Sequence, residues 1–197
     1  PQLFFDHWGK PLFTLLSAPF AQLGYIGSVV FNLLCGLWSS WFAYLIAKRL
    51  GYRNAWAAII FTVFTPVYLF IMYTSLTEIL FSLILISSIY FFLSKQYLGA
   101  SLLISFIPFA RTEGLMFVIL FIPALAWMKQ YKALPLLFTG FFVYSIFGWA
   151  IHHDFLWFFT KMPYGSGGSE LYGSGSFWFY FGKMNYAYND RYLFSAT

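Results

Sequence analysis

Charge is what this sequence has least of. Only 9% of its 197 residues are charged, against roughly 25% in a soluble domain, and 61% are hydrophobic, with a mean hydropathy of +0.73. That balance excludes an ordinary soluble domain and predicts an all-α polytopic membrane protein whose first partner is the lipid bilayer. There is one cysteine, Cys35, inside an apolar run, so no disulfide framework exists and the redox compartment stays open. The net charge of +5 comes without a basic helix or the interleaved aromatics of a nucleic-acid reader, which removes nucleic acid as a partner. The glycine-rich "YGSGGSELYGSGS" lacks the Lys-Ser/Thr ending of a phosphate-cradling loop and does not lie between a strand and a helix. No repeat stands out at a fixed period. The chain opens at Pro1 without a methionine and reads as a processed or partial chain in which no signal peptide is recognised.

Aromatic residues are abundant, 25% of the chain with 27 Phe, 15 Tyr and 8 Trp, which suits a lipid-facing surface with an interfacial belt. Breaks at charges, Gly and Pro leave six hydrophobic segments, 24–47, 55–73, 77–94, 97–110, 114–128 and 133–151. About six transmembrane helices are expected from them. "PLFTLLSAPFAQLG" at 11–24 predicts a short interfacial helix bent near Pro19. The organisation expected is therefore an extracytoplasmic and interfacial segment 1–23, a transmembrane helical region 24–152, and an extracytoplasmic loop region 153–197 with Gly and Ser concentrated at 165–176.

Basic residues in short loops face the cytoplasm. Lys48, Arg49 and Arg53, then Lys95, then Lys129 and Lys132 mark three such loops. The opposite ends carry Asp6, Glu78, Glu113, Asp154, Glu170 and Asp190 with His7, His152 and His153, which is every acid and every histidine. Acids contribute little to topogenesis, so the orientation did not force this result. It points to an extracytoplasmic working face.

"FIPFARTEGLMFVIL" at 106–120 sets Arg111 and Glu113 two apart in an apolar run. The flanking segments fall short of the ~20 residues that cross a bilayer core, so the tip between them is expected below the outer surface, where charges face a cavity and pair. The same two residues also read as a self-paired interfacial turn with Arg111 snorkelling. In "YTSLTEILF", Ser75 or Thr74 reads as a helix cap and Glu78, three residues after Ser75, as the end of a capping box, a position that would also keep its carboxylate ionised and preorganised. Asp6, His7 and Lys10 in "DHWGK" suit a general base, or ligands to a divalent cation that holds a phosphate, or an ordinary polar loop ahead of Pro11. In "IHHDF", His152 and His153 point about 100° apart on a helix and cannot easily share one ion, so polar termination of the last span is favoured.

"DHWGKPLFTLLSAPF" (6–20), the "SLTEILF" helix start and the "ARTEGL" turn, with the basic loops between them, resemble the polytopic glycosyltransferases of the C superfamily, of the mannosyltransferase and aminoarabinose-transferase kind. The likeness covers about two thirds of the chain, and Thr112 stands where the family pattern favours proline. It implies transfer of a sugar from a polyprenyl-phosphate donor to an extracytoplasmic acceptor, with Asp6, Glu78 and Glu113 as catalytic candidates and His7, Lys10, Arg111 and His152 as substrate-binding candidates. The family's principal acid lies in a loop after an initial helix, which here would precede Pro1, so Asp6 is the candidate for the second acidic position. A divalent cation is the one cofactor left open. Two other classes compete: a noncatalytic subunit, which would need further membrane subunits as partners, and a transporter, which should show related halves or helices broken near the midplane.

Overall fold

The computed structural model describes residues 10–160, and every regular element among them is helical. The chain divides into two units, one ending at Phe159 and one beginning at Thr160, and the helical bundle belongs to the first. Asp6, His7 and the 165–176 loop lie outside the described residues. In order, the helices are α1 Pro11–Ala21, α2 Gly24–Arg49, α3 Ala57–Val63, α4 Pro66–Met72, α5 Glu78–Leu93, α6 Tyr97–Ile104, α7 Ile107–Ala110 and α8 Gly114–Trp127. Two 3-10 turns, Tyr131–Ala133 and Pro135–Phe138, lead into α9 Thr139–His152 and α10 Trp157–Thr160.

By length and composition two stretches can cross a membrane, Gly24–Arg49 with 26 residues and Tyr131–Ile151 with 21. The expectation of six spans is corrected accordingly. Segment 55–73 divides because Pro66 has no amide to donate and forces Thr65 into extended backbone, φ −62° and ψ 120°. Segment 97–110 divides at Ser105 and Phe106, just ahead of Pro108. α5 and α8 are continuous, but their 16 and 14 residues rise only about 24 and 21 Å. α1 runs through Pro19 and stops at Ala21, so the break falls at Gln22 and Leu23 instead of at the proline.

Hydrogen bonds fix the directions of the elements. Arg49 Nε donates to the Leu93 carbonyl at 3.0 Å, while Asn32, far up α2, donates to the carbonyls of Thr74 and Leu76 ahead of α5. α2 and α5 are therefore parallel neighbours, and α3 and α4 make the return between them. α8 also runs parallel to α5, since Phe81 meets Phe117 and Phe92 meets Phe121. Lys48, Arg49, Lys95 and Lys129 thus gather at one end, and Glu78, Arg111 and Glu113 at the other. Three helices stop at the basic end with the same cap: Tyr52 N donates to Ala47 O, Gln96 N to Phe91 O and Gln130 N to Leu125 O. Gly51, Lys95 and Lys129 take the left-handed position that this cap requires, with φ of 83°, 61° and 57°. A lysine there gives up glycine's freedom but sets a cation against the helix C-terminus.

The interior of the bundle is mainly apolar, with Met72, Ile79, Ile104, Ile107, Phe109, Leu125 and Trp157 buried, but it also holds a row of small polar residues, and its surface is greasy. Asn32, Ser39, Ser40, Ser87, Ser88, Ser101, Ser105 and Ser145 are buried, whereas Ile26, Phe61, Phe70 and Trp127 are exposed. Several of the serines return their hydroxyls to carbonyls of their own helix, as Ser88 does to Ile84 O at 2.7 Å, which lets neighbouring backbones close up. Gly140 shows how tight the contact is. Its amide donates to Ser105 Oγ at 3.1 Å, and a Cβ there would lie 2.2 Å from the Ser105 carbonyl oxygen. Because that obstacle is backbone, Gly140→Ala is expected to cost about 1–3 kcal/mol, read as a lower unfolding midpoint in detergent; an unchanged midpoint would mean that α9 is free to move away from α6.

Candidate charged site at the acidic end

Three elements converge on one guanidinium. α7 ends at Arg111, whose extended backbone, φ −153° and ψ 140°, carries the chain out of the helix. Gly114 N donates to Arg111 O at 2.9 Å and Met116 N to Glu113 O at 3.2 Å, so the chain turns at once into α8. Gly114 is needed for the approach: a Cβ on it would lie 2.7 Å from the Ile107 carbonyl carbon and oxygen. The Arg111 side chain then takes Glu113 with both arms of its fork, Nη2 to Oε1 at 2.8 Å and Nε to Oε2 at 3.4 Å. From α5, Glu78 Oε1 accepts from Arg111 Nη1.

Glu78 is the first residue of α5, with Thr77 as the N-cap and no side-chain cap bond. The capping box expected from Ser75 to Glu78 is therefore not made. Thr74 instead returns its hydroxyl to Ile71 O at 2.6 Å and closes the end of α4. Freed from capping, the Glu78 carboxylate reaches across to Arg111, and its second oxygen, Oε2, is buried without a hydrogen-bond partner among the described residues.

Lys10, the N-cap of α1 at φ 47°, lies in the field of the pair. Burial lowers its pKa, attraction to Glu113 opposes that, and repulsion from Arg111 adds to it. The Glu113 carboxyl is held at about 2, first by its bonds to Arg111 and then by its own backbone amide. Bonds to Glu113 above all hold the Arg111 guanidinium above its ordinary value. The four charges sum to zero, yet three of them keep capacity: three of the five guanidinium N–H groups are used, Lys10 is in no ion pair among the described residues, and Glu78 Oε2 has no partner among them, whereas both Glu113 oxygens are engaged.

Of the candidate residues, the structure brings Lys10, Glu78, Arg111 and Glu113 together, while Asp6 and His7 lie outside the described residues. His152 closes α9, His153 takes the left-handed position behind it, and Asp154 Oδ1 accepts from Leu156 N at 2.8 Å, so that end is built as a turn. Among the described residues no three of His, Cys, Asp and Glu come together to hold a metal. The residue missing from the sequence reading is Asn32, fully buried on α2 and bonded to the turn before Glu78; a lone amide in the apolar run "GSVVFNLLCG" was its signal. A second overlooked pattern is that both acids follow threonine at a helix start, Thr77-Glu78 and Thr112-Glu113, and that Lys-Gln-Tyr follows the C-cap of each of those helices, at 95–97 and 129–131.

Comparisons with protein-family models, with curated proteins and with solved structures found no match to this chain.

The depressed Glu113 carboxyl gives a pH test. A group whose folded pKa lies below its free value of 4.5 adds stability above that value and loses it as pH falls toward about 2. The stability difference between wild type and Glu113→Gln should be constant at neutral pH and should shrink as pH falls through that window, followed by thermal unfolding. A difference that grows on acidification would contradict the pairing.

Proposed function

We propose that the chain is the membrane-embedded part of a glycosyltransferase that takes a sugar from a polyprenyl-phosphate carrier and transfers it to an extracytoplasmic acceptor. The observation that carries the reading is the charged cluster itself: Glu78, Arg111 and Glu113, from the two motifs that resemble the superfamily, meet at one end of an apolar bundle with a buried carboxylate oxygen left open. Charges gathered from separate elements at one end of an apolar bundle favour a substrate site. The Glu78 carboxylate, whose side chain is 40% exposed, accepts the proton of the acceptor hydroxyl as the hydroxyl oxygen bonds to the anomeric carbon. The bond from the anomeric carbon to the phosphate oxygen breaks, and the phosphate leaves on its lipid with Lys10 and the unused Arg111 donors facing its charge. By sequence, Asp6 and His7, a few residues before Lys10, are further candidates for this chemistry.

Two further features support it. An apolar cavity of about 180 Å³, lined by Pro108, Phe109, Leu115, Val118, Phe141 and Phe158 among others, borders the Arg111 turn and suits part of an isoprenoid chain. The greasy exterior and the alternating directions of the elements favour a multi-pass arrangement in which the short and broken helices also lie in the bilayer, with the basic end cytoplasmic. A scaffold reading has its own support, since Arg111 is already neutralised by two acids and serves to clip the α7–α8 turn onto α5.

Sugar transfer from a lipid-linked donor, in membranes holding matched amounts of each variant, separates the two. Arg111→Ala and Glu78→Gln should each lose about two orders of magnitude in turnover, the scale of one transition-state contact. Arg111→Lys should recover part of that, because a point charge replaces a fork. Full transfer by Arg111→Ala and Glu78→Gln would leave the scaffold reading standing. Independently, single cysteines at Lys95 and Lys129 in a Cys35→Ser background should be labelled from the side opposite a cysteine at Thr112; labelling of all three from one side would remove the multi-pass arrangement.

A further inference from the structure

We infer that Asn32 is the positioning residue of the charged site: through the 73–77 turn it sets where the Glu78 carboxylate stands. Its side chain is 0% exposed in the middle of an apolar helix, a costly place for an amide, and only its donor half is satisfied, since Oδ1 is buried with no partner among the described residues. Nδ2 donates to Thr74 O at 2.7 Å and to Leu76 O at 2.8 Å, so both amide hydrogens are spent on one turn. Those carbonyls stand four and two residues before Glu78. Two contacts on α2 repeat the theme. Tyr25, two turns earlier on the same face, donates its hydroxyl to Tyr73 O at 3.2 Å, and Gly36, one turn later, takes the Met72 side chain where a Cβ would meet its terminal methyl at 2.6 Å. The same side of α2 therefore holds the end of α4 and the whole approach to α5.

The consequence runs to the charge cluster. Glu78 makes no cap bond that would fix it locally, and it meets Arg111, on another hairpin, through one oxygen. Its position follows from where the turn is held. A leucine at position 32 has similar bulk and no donor, so the two carbonyls lose their partner inside the bundle and the turn must shift to recover one. An aspartate is worse, because it sets a negative group against two carbonyls. A glutamine keeps the donors but moves them by one methylene.

This inference rests on the reading of Glu78 as a working carboxylate, and its test separates the two. The chain has three glutamates, Glu78, Glu113 and Glu170, so isotope-labelled glutamate gives a carboxyl spectrum of three signals, assigned by Glu78→Gln and Glu113→Gln. In lipid nanodiscs at neutral pH, Asn32→Leu should displace the Glu78 signal and leave the Glu113 signal in place. Asn32→Gln should displace it less, and that variant decides the matter if Asn32→Leu does not fold. In transfer assays Asn32→Leu should lower kcat by about tenfold or more with KM nearly unchanged, the pattern of a displaced group that acts in the transition state, and Asn32→Gln should recover part. Unmoved Glu78 signals in both variants, or equal displacement of Glu78 and Glu113, would overturn the inference. A wild-type chain that transfers no sugar would overturn the glycosyltransferase reading alone, because the carboxyl spectrum still decides the positioning.

Discussion

An arginine cannot shed its charge, and in a bundle this apolar it has to be met by acids. That requirement organises the acidic end of the molecule. Glu113 is supplied from within the same turn and Glu78 from α5, so neutralising Arg111 obliges the α7–α8 hairpin to close against the start of α5. The close approach at Gly114 and the hold of α2 on the 73–77 turn both serve that closure. Around this closure Met72, Ile79, Leu80, Ile107 and Phe109 are buried, so hydrogen bonds and close backbone contacts add to ordinary apolar packing.

The basic end is built on a different principle. Its helices stop by a repeated backbone cap, and two of the three left-handed positions are lysines. A cation at a helix C-terminus is favourable on the dipole alone. One residue type thus ends the helix and sets its charge against the carbonyls there. The opposite helix starts carry acids for the corresponding reason, and Glu78 and Glu113 are in addition bound to one arginine.

Much of this was legible in the sequence. The one-sided distribution of acids, the basic turns, the shortness of the segments around Arg111 and the weight of the Arg-Thr-Glu-Gly turn all follow from residue types and spacing. The pairing of Glu78 with Arg111 did not, because it joins positions far apart in the chain and depends on α5 and α8 being parallel neighbours. The capping box misled for a local reason: Ser75 and Glu78 have the right spacing, but Thr77 is the cap and Glu78 is drawn to a charge instead. The break at Pro66 was written in the sequence and was outweighed by the apolar run around it. Asn32 was passed over because a single amide in a hydrophobic segment carries no pattern of its own.

The charged site depends on Glu78 and Arg111 being energetically coupled, and a double-mutant cycle measures that directly. Unfolding free energies of wild type, Glu78→Gln, Arg111→Gln and the double variant, taken in the same lipid, give the interaction term. A coupling of about 0.5–3 kcal/mol is predicted for residues in one ion-pair network. Effects that add to within about 0.3–0.5 kcal/mol would mean that the two side chains do not meet and that the charged site is not built as described.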